Sequence, residues 1–191
     1  MRTWVVGLSL TAVLATSLAG CRSAAPSPYT PPAEGMRSTV EAEKLSREGA
    51  DLSEKNPTEA EALFRGALTK DLFYGPAHNN LGVLYLKQQK LYEAANEFEW
   101  ARKLMPGHPD PRVNLAITLE LAGRVNEALA SYCAALEVYT DYLPAIEGLA
   151  SLTVRAGKKD ERLASWLDTI ALHGESDPWK NWARVQLMKA R

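Results

Sequence analysis

The sequence is short of most residue types that carry chemistry. In 191 residues there are two cysteines and three histidines, His78, His108 and His173. Two cysteines make no disulfide framework, and the histidines fall at spacings that no metal site uses. No Ser/His/Asp or Cys/His set, no paired carboxylates in a plausible cleft and no glycine-rich phosphate loop are present, so no catalytic residue, metal ligand or cofactor is expected. An excess of either charge is also missing. Against 22 Lys+Arg stand 23 Asp+Glu, a formal net charge of -1 with a pI near 6.3. A nucleic-acid binder would carry a basic excess, so none is expected, and neither is a small-molecule substrate. Aromatics are sparse at 8 %, and β-branched residues rarely cluster. What is abundant is Ala and Leu within 46 % hydrophobic residues, enough for a core and weighted toward helices.

The start of the chain reads as an address. Met1-Arg2 gives a short positive start, and Thr3 through Gly20 carries no charge. A stretch that short, ending in small residues, fits a secretory signal better than a membrane span. It closes on Leu18-Ala19-Gly20-Cys21, which resembles the bacterial lipobox. Small side chains enter a protease cleft at the bilayer, and Cys21 supplies the thiol that takes a thioether-linked lipid. The resemblance implies a signal peptide over 1–20, lipidation at Cys21 and a mature chain outside the cytoplasm. Buried acyl chains contribute about 0.8 kcal/mol per methylene, so two or more hold a protein stably at a membrane. Arg22 rather than Asp follows the cysteine, which by bacterial sorting rules points to the outer membrane, facing the periplasm. The lipidated residue and a spacer rich in proline (Pro26, Pro28, Pro31, Pro32) fill 21–40, an extended tether.

Beyond it the chain recurs every 34 residues. Leu81, Leu115 and Leu149 keep that step, as do Ala60, Ala94 and Ala128, and Ala67, Ala101 and Ala135. Phe64, Phe98, Tyr132 and Trp166 form an aromatic column, and Gly123 and Gly157 mark one inter-helix turn. Within a period two amphipathic stretches alternate: Leu81, Leu84 and Tyr85 are spaced i, i+3, i+4, while Ala94, Phe98 and Ala101 are spaced i, i+4, i+7. Pro106 and Pro109 stop the second helix and start the next.

This pattern resembles the tetratricopeptide repeat, a 34-residue helix–turn–helix unit. Leu81, Gly82, Tyr85, Ala94, Phe98, Ala101 and Pro106 sit at its signature positions, with His78 in place of the usual first aromatic. The resemblance implies an all-α solenoid of about three to four units. The expected division is 41–74, whose first helix fits if the turn at Asn56-Pro57 is one residue short, then 75–108, 109–142 and a degenerate 143–176 in which Arg162 replaces the buried alanine. A helix in 177–191, entered through Asp177-Pro178, closes the stack. Its Trp179, Trp182, Ala183 and Leu187 form one apolar face, which either caps the core or docks a partner. Gly82 is expected where the first helix crosses the second, facing Ala94.

In such a solenoid the first helices line the concave side. The resemblance places Asn79, Asn80, Val83, Leu86 and Lys87 there, then Val113, Asn114, Ile117, Glu120 and Leu121, then Glu147, Gly148, Ser151, Val154 and Arg155. The candidate peptide-binding residues are Asn79, Asn80, Val83, Lys87, Asn114, Ile117, Glu120, Leu121, Ser151 and Arg155. A side-chain amide donates and accepts at once, so Asn80 and Asn114 either clasp an extended peptide backbone or satisfy helix-start groups. Arg47, Lys87 and Arg155 offer positive charge to an acidic ligand. Cys133, beside Tyr132, reads as a core or boundary residue, and Trp100 as a packing residue or a convex contact.

The function implied is that of a non-catalytic scaffold with a protein or peptide partner, attached to the membrane through lipid on Cys21. Lipoproteins of this plan act as pilotins for type IV pilus secretins, Tad-pilus assembly factors, members of outer-membrane assembly machines and protease adaptors. Pilus or secretion assembly is the preferred branch. The alternatives are an adaptor for a protease or cell-wall enzyme and, with little to stand on, an envelope hydrolase.

Overall fold

A computed structural model describes residues 37–189; the expected signal peptide, Cys21 and most of the proline-rich tether lie outside the described residues. The described residues form nine helices and no strand: α1 (Thr39–Leu52), α2 (Pro57–Lys70), α3 (Gly75–Lys87), α4 (Leu91–Leu104), α5 (Asp110–Leu121), α6 (Val125–Val138), α7 (Leu143–Arg155), α8 (Leu163–His173) and α9 (Asp177–Lys189). None is long and apolar enough to cross a membrane. Successive helices pack as hairpins, α1 on α2, α3 on α4, α5 on α6 and α7 on α8, and each hairpin rests on the next. The odd-numbered helices also touch one another in series, α1 to α3 to α5 to α7. The chain is an all-α solenoid.

Local signals explain the breaks. Ser38 caps α1 by accepting from the Glu41 N–H at 3.4 Å, and Asn56 caps α2 by accepting from Glu59 at 3.3 Å. Prolines stand in the first turn of α2, α3, α5 and α7, where a missing N–H costs nothing. The turns after α5 and α7 need a left-handed residue, supplied by Gly123 (φ 74°) and Gly157 (φ 62°). Between α3 and α4 the same place is held by Gln89 at φ 60°, a conformation that costs a residue with a side chain roughly 1–2 kcal/mol.

The alanine columns and aromatic column form the core. Ala60, Ala94, Ala128, Phe64 and Phe98 are essentially inaccessible, and Tyr132 and Trp166 nearly so. The atoms nearest Gly82, which the sequence set facing Ala94, belong to the ring of Phe98: a Cβ there would lie 2.7 Å from it. Gly49 stands in the same relation to Phe64, also at 2.7 Å. Fifteen residues separate Gly49 from Phe64 and sixteen separate Gly82 from Phe98, which is the expected one-residue deficit of the first hairpin. The deficit comes from the helix rather than the turn, since α1 stops at Leu52, three residues past Gly49, whereas α3 runs five past Gly82.

Both ends are fastened differently from the middle. At the start, buried Asp71 accepts from the Thr39 hydroxyl at 2.8 Å and the Phe73 N–H at 3.0 Å, and pairs with Arg37 at 2.7 Å. Burial alone would push its carboxyl up; the Thr39 and Arg37 contacts overcome this and hold it below the ordinary 3.8. At the other end α8 starts only at Leu163. Arg162 stays exposed, pairs with Asp160 at 2.8 Å and lies 4.8 Å over the Trp166 ring. Helix α9 takes up Asp177 as its first residue, one position earlier than an Asp177 cap would allow, and Lys180 N–H bonds the Ser176 carbonyl at 3.1 Å.

Candidate functional site: the concave face

The odd helices carry the candidate residues on one face, and the structure divides them into two groups. In the first, amides lock neighbouring helices together. Asn80 Nδ2 donates to Ser46 Oγ at 3.2 Å, joining α3 to α1. Asn114 Nδ2 donates to Asn79 Oδ1 at 3.1 Å, joining α5 to α3. Neither asparagine serves a helix start. Each spends its N–H on a rung between adjacent units and leaves Oδ1 without a hydrogen bond from the described residues. Beside Asn80, Val83 and Lys87 lies a small hollow of about 60 Å³.

In the second group the rung is absent. The residue matching Asn80 and Asn114 is Gly148, and the one matching Asn79 is Val113, so no amide bridges α5 to α7. The ring of Tyr132 passes there instead: a Cβ on Gly148 would lie 2.4 Å from it. The reason is one methyl. Where Gly49 and Gly82 leave room for Phe64 and Phe98, the third hairpin has Ala116, and the aromatic ring turns into the gap between α5 and α7. Tyr132 O–H reaches Glu120 at 3.4 Å, and burial together with that carboxylate pushes its phenol far above the ordinary value.

The outcome is a pocket of about 260 Å³ on the concave face. Val113 and Ile117 of α5, Gly148 and Ser151 of α7 and Trp179 of α9 are among the residues that line it. The pair Arg155–Glu120 closes one side, tying α7 to α5. Glu147, 4 % exposed, sits in the same pocket. Its Oε1 accepts the Glu175 N–H at 3.0 Å, and burial pushes its carboxyl up, as does the charge of Glu175. Trp179 and Trp182 meet edge to face at 5.3 Å and are half-buried against the core, so α9 both caps the stack and contributes to the groove.

The remaining candidates are placed as follows. Leu121 is half exposed at 53 % near the end of α5. Lys87 pairs with Glu54, and Arg47 pairs with Glu43 at 2.6 Å. With Arg155 on Glu120, every cation singled out for an acidic ligand already holds a carboxylate of its own chain. Cys133 is half-buried and packed against the core. No group of three His, Cys, Asp or Glu among the described residues is placed to hold a metal.

On the opposite side lies a second hollow, about 550 Å³, between α2 and α4. Trp100 borders it and stacks on His78 with ring centroids 5.6 Å apart. His78 Nε2 donates to the Leu72 carbonyl at 2.9 Å, and Nδ1 faces Glu97 at 2.7 Å, all but sealed from water. The histidine at the place of an aromatic is thus a buried polar linker, which no sequence column announced. Of the pocket residues, Tyr132 was visible only as a core aromatic, and Glu147 only as an inner position. The readable signal was the pairing of Ala116 with Gly148.

Comparison with known proteins supports the class. The fold is that of tetratricopeptide-repeat proteins. The structure of pilF from Pseudomonas aeruginosa superposes with a TM-score of 0.68 at 18 % identity, covering 82 % of this chain and 70 % of that one. The first TPR domain of Spaghetti (RPAP3), solved with the HSP90 peptide SRMEEVD, gives 0.60 at 15 %, covering 64 % of this chain and 98 % of its own. In sequence, 100 residues are 32 % identical to the probable peptide N-acetylglucosaminyltransferase SPINDLY of Hordeum vulgare. That stretch is 49 % of this chain and only 11 % of the relative. No family model matches.

Proposed function

We propose that this protein is a membrane-anchored scaffold that holds partner segments in its concave groove and assists assembly of an envelope complex, a pilus or secretion system. The observation that carries the reading is the concave face itself: four helices in series whose outer ends are neutralised by internal ion pairs and whose α5–α7 interval stays open beside an aromatic wall. An extended segment laid along such a face gains backbone hydrogen bonds from free Asn80 and Asn114 carbonyls and buries side chains in the pocket. The anchor is Cys21, and the assembly role is supported by the pilotin-like plan of a lipobox, a proline-rich tether and repeats, together with the likeness to pilF.

Crosslinking in native membranes followed by mass spectrometry tests the pathway, and Cys21→Ser tests the anchor. The expected result is crosslinks to a pilus or secretion channel subunit and loss of the protein from the outer-membrane fraction on Cys21→Ser. Crosslinks confined to a protease or cell-wall enzyme would replace the assembly role by that of an adaptor. Unchanged fractionation and no incorporation of labelled fatty acid would remove the lipid anchor.

A further inference from the structure

We infer that the pocket between α5 and α7 receives one cationic side chain, a lysine or arginine carried on an extended segment of the partner, with Glu147 as its counter-charge and Trp179 as its aromatic wall. This deepens the groove reading above and rests on it.

The charge inventory is one-sided. The pocket is lined by two carboxylates, Glu120 and Glu147, and by one cation, Arg155. Arg155 is bound to Glu120. Glu147 therefore has no cation among the described residues, although it is almost fully buried. Among the described residues its one side-chain hydrogen bond is from the Glu175 backbone to Oε1. Oε2 accepts none among the described residues and is not completely sealed from solvent. The carboxylate of Glu175 adds more negative charge next to it. A buried carboxylate is tolerated when a cation or donors complete it. Here one half of the carboxylate is completed by the chain and the other is not.

The walls suit the stem of such a cation as well as its head. Val113, Ile117 and Gly148 offer apolar surface to methylenes, which lysine and arginine bury while their charged ends stay solvated or paired. An indole face is the best aromatic partner for a cation, and Trp179 stands in the same pocket. An acidic side chain would meet Glu147 and Glu175. An uncharged apolar one would expel water from Glu147 and leave its charge uncompensated. Charge, rather than size, is what this pocket selects.

The test uses the full chain, labelled with ¹⁵N, and four peptides of sequence acetyl-Ala-Leu-X-Leu-Ala-amide, where X is lysine, arginine, norleucine or glutamate. The readout is the indole N–H resonance of Trp179, assigned with Trp179→Phe. The lysine and arginine peptides should saturate that shift with a Kd at least tenfold below that of the norleucine peptide, with glutamate weakest. In Glu147→Gln the tenfold preference should fall below twofold. The comparison of peptides on the unaltered protein holds whether or not the variant folds well. Equal binding of lysine and norleucine, a preference that survives Glu147→Gln, or no movement of Trp179 would overturn the assignment. If the Asn79 and Asn80 resonances still respond to all peptides alike, the groove stands and only the pocket's selectivity is lost; if no groove resonance moves, both are lost.

Discussion

The two halves of the concave face are built from the same repeat and differ in how their seams are closed. Between α1 and α5 each seam carries an amide rung, Asn80 to Ser46 and Asn114 to Asn79, and at the start of the stack, off this face, the buried carboxylate of Asp71 is served by Arg37, Thr39 and the Phe73 N–H. Between α5 and α7 there is no rung, an aromatic ring fills part of the gap, and the buried carboxylate, Glu147, has a backbone donor and no cation. Satisfied polar contacts rigidify a stack. The incompletely served seam is the one with a pocket of about 260 Å³, against about 60 Å³ where the rung is present. The seams of one repeat stack are thus closed in two different ways.

The comparison is most harshly tested in the core. Phe98→Ala should cost about 3–5 kcal/mol, since a fully buried ring locked over Gly82 leaves a cavity its neighbours cannot fill. Tyr132→Ala should cost less, because its ring already borders open space; urea denaturation of both variants ranks them. If Tyr132→Ala proves the more damaging, the open seam is not the weaker one.

Asp71 and Glu147, two of the buried carboxylates, should respond to acid with opposite signs. Asp71→Asn should cost about 1.5–3 kcal/mol at neutral pH, the usual contribution of hydrogen bonds to a charged group. Its carboxyl is held below 3.8, so the stabilisation is fully present above that value and is lost as pH falls through the lower folded value. Glu147 is held above its ordinary 4.5, so its protonated form is favoured in the fold. The favourable contribution of Glu147 is complete below 4.5 and disappears as pH rises through the folded value. Glu147→Gln should therefore be more stable than the parent near neutrality, with the gain vanishing in acid. Thermal melts across pH 3 to 8 check both signs.

Gly148→Ala comes next, at about 1–3 kcal/mol, the usual penalty for overpacking, because its Cβ would press on Tyr132. Tyr132→Leu in the same chain should recover most of that loss, and the double-mutant cycle measures the coupling. The smallest effect expected is from Asn114→Ala, about 0.5–1.5 kcal/mol for one lost neutral hydrogen bond. A larger loss there would mean that the rung organises more of the seam than its geometry indicates.

Much of the fold was legible because its cause is periodic: alanines, leucines and aromatics returning every 34 residues demand equivalent hairpins. The face turned inward was legible for the same reason. What the columns could not convey was register and rotamer. Ser46 stands 34 residues before Asn80, yet the one-residue deficit of the first hairpin makes it the counterpart of Asn79, so Asn80 meets Ser46 as Asn114 meets Asn79. The pocket depends on Ala116 redirecting a ring that lies sixteen residues away in sequence, and on α9 bringing Trp179 over a helix twenty-four or more residues earlier. Such effects are decided by packing across hairpins, for which one sequence holds no local sign. The charges misled for a related reason: Lys87 and Arg155 look available until Glu54 and Glu120 are found on the neighbouring helix hairpins.

The most direct measurement is a photocrosslinker placed in turn at Val83, Ile117 and Ser151, equivalent concave positions 34 residues apart, and at Trp100 on the other side, in cells that express the full chain. Crosslinks to one protein partner should be strongest from position 151, present from 117, weak from 83 and absent from 100. Crosslinking from 100 with none from the three concave positions would contradict the groove as the working surface.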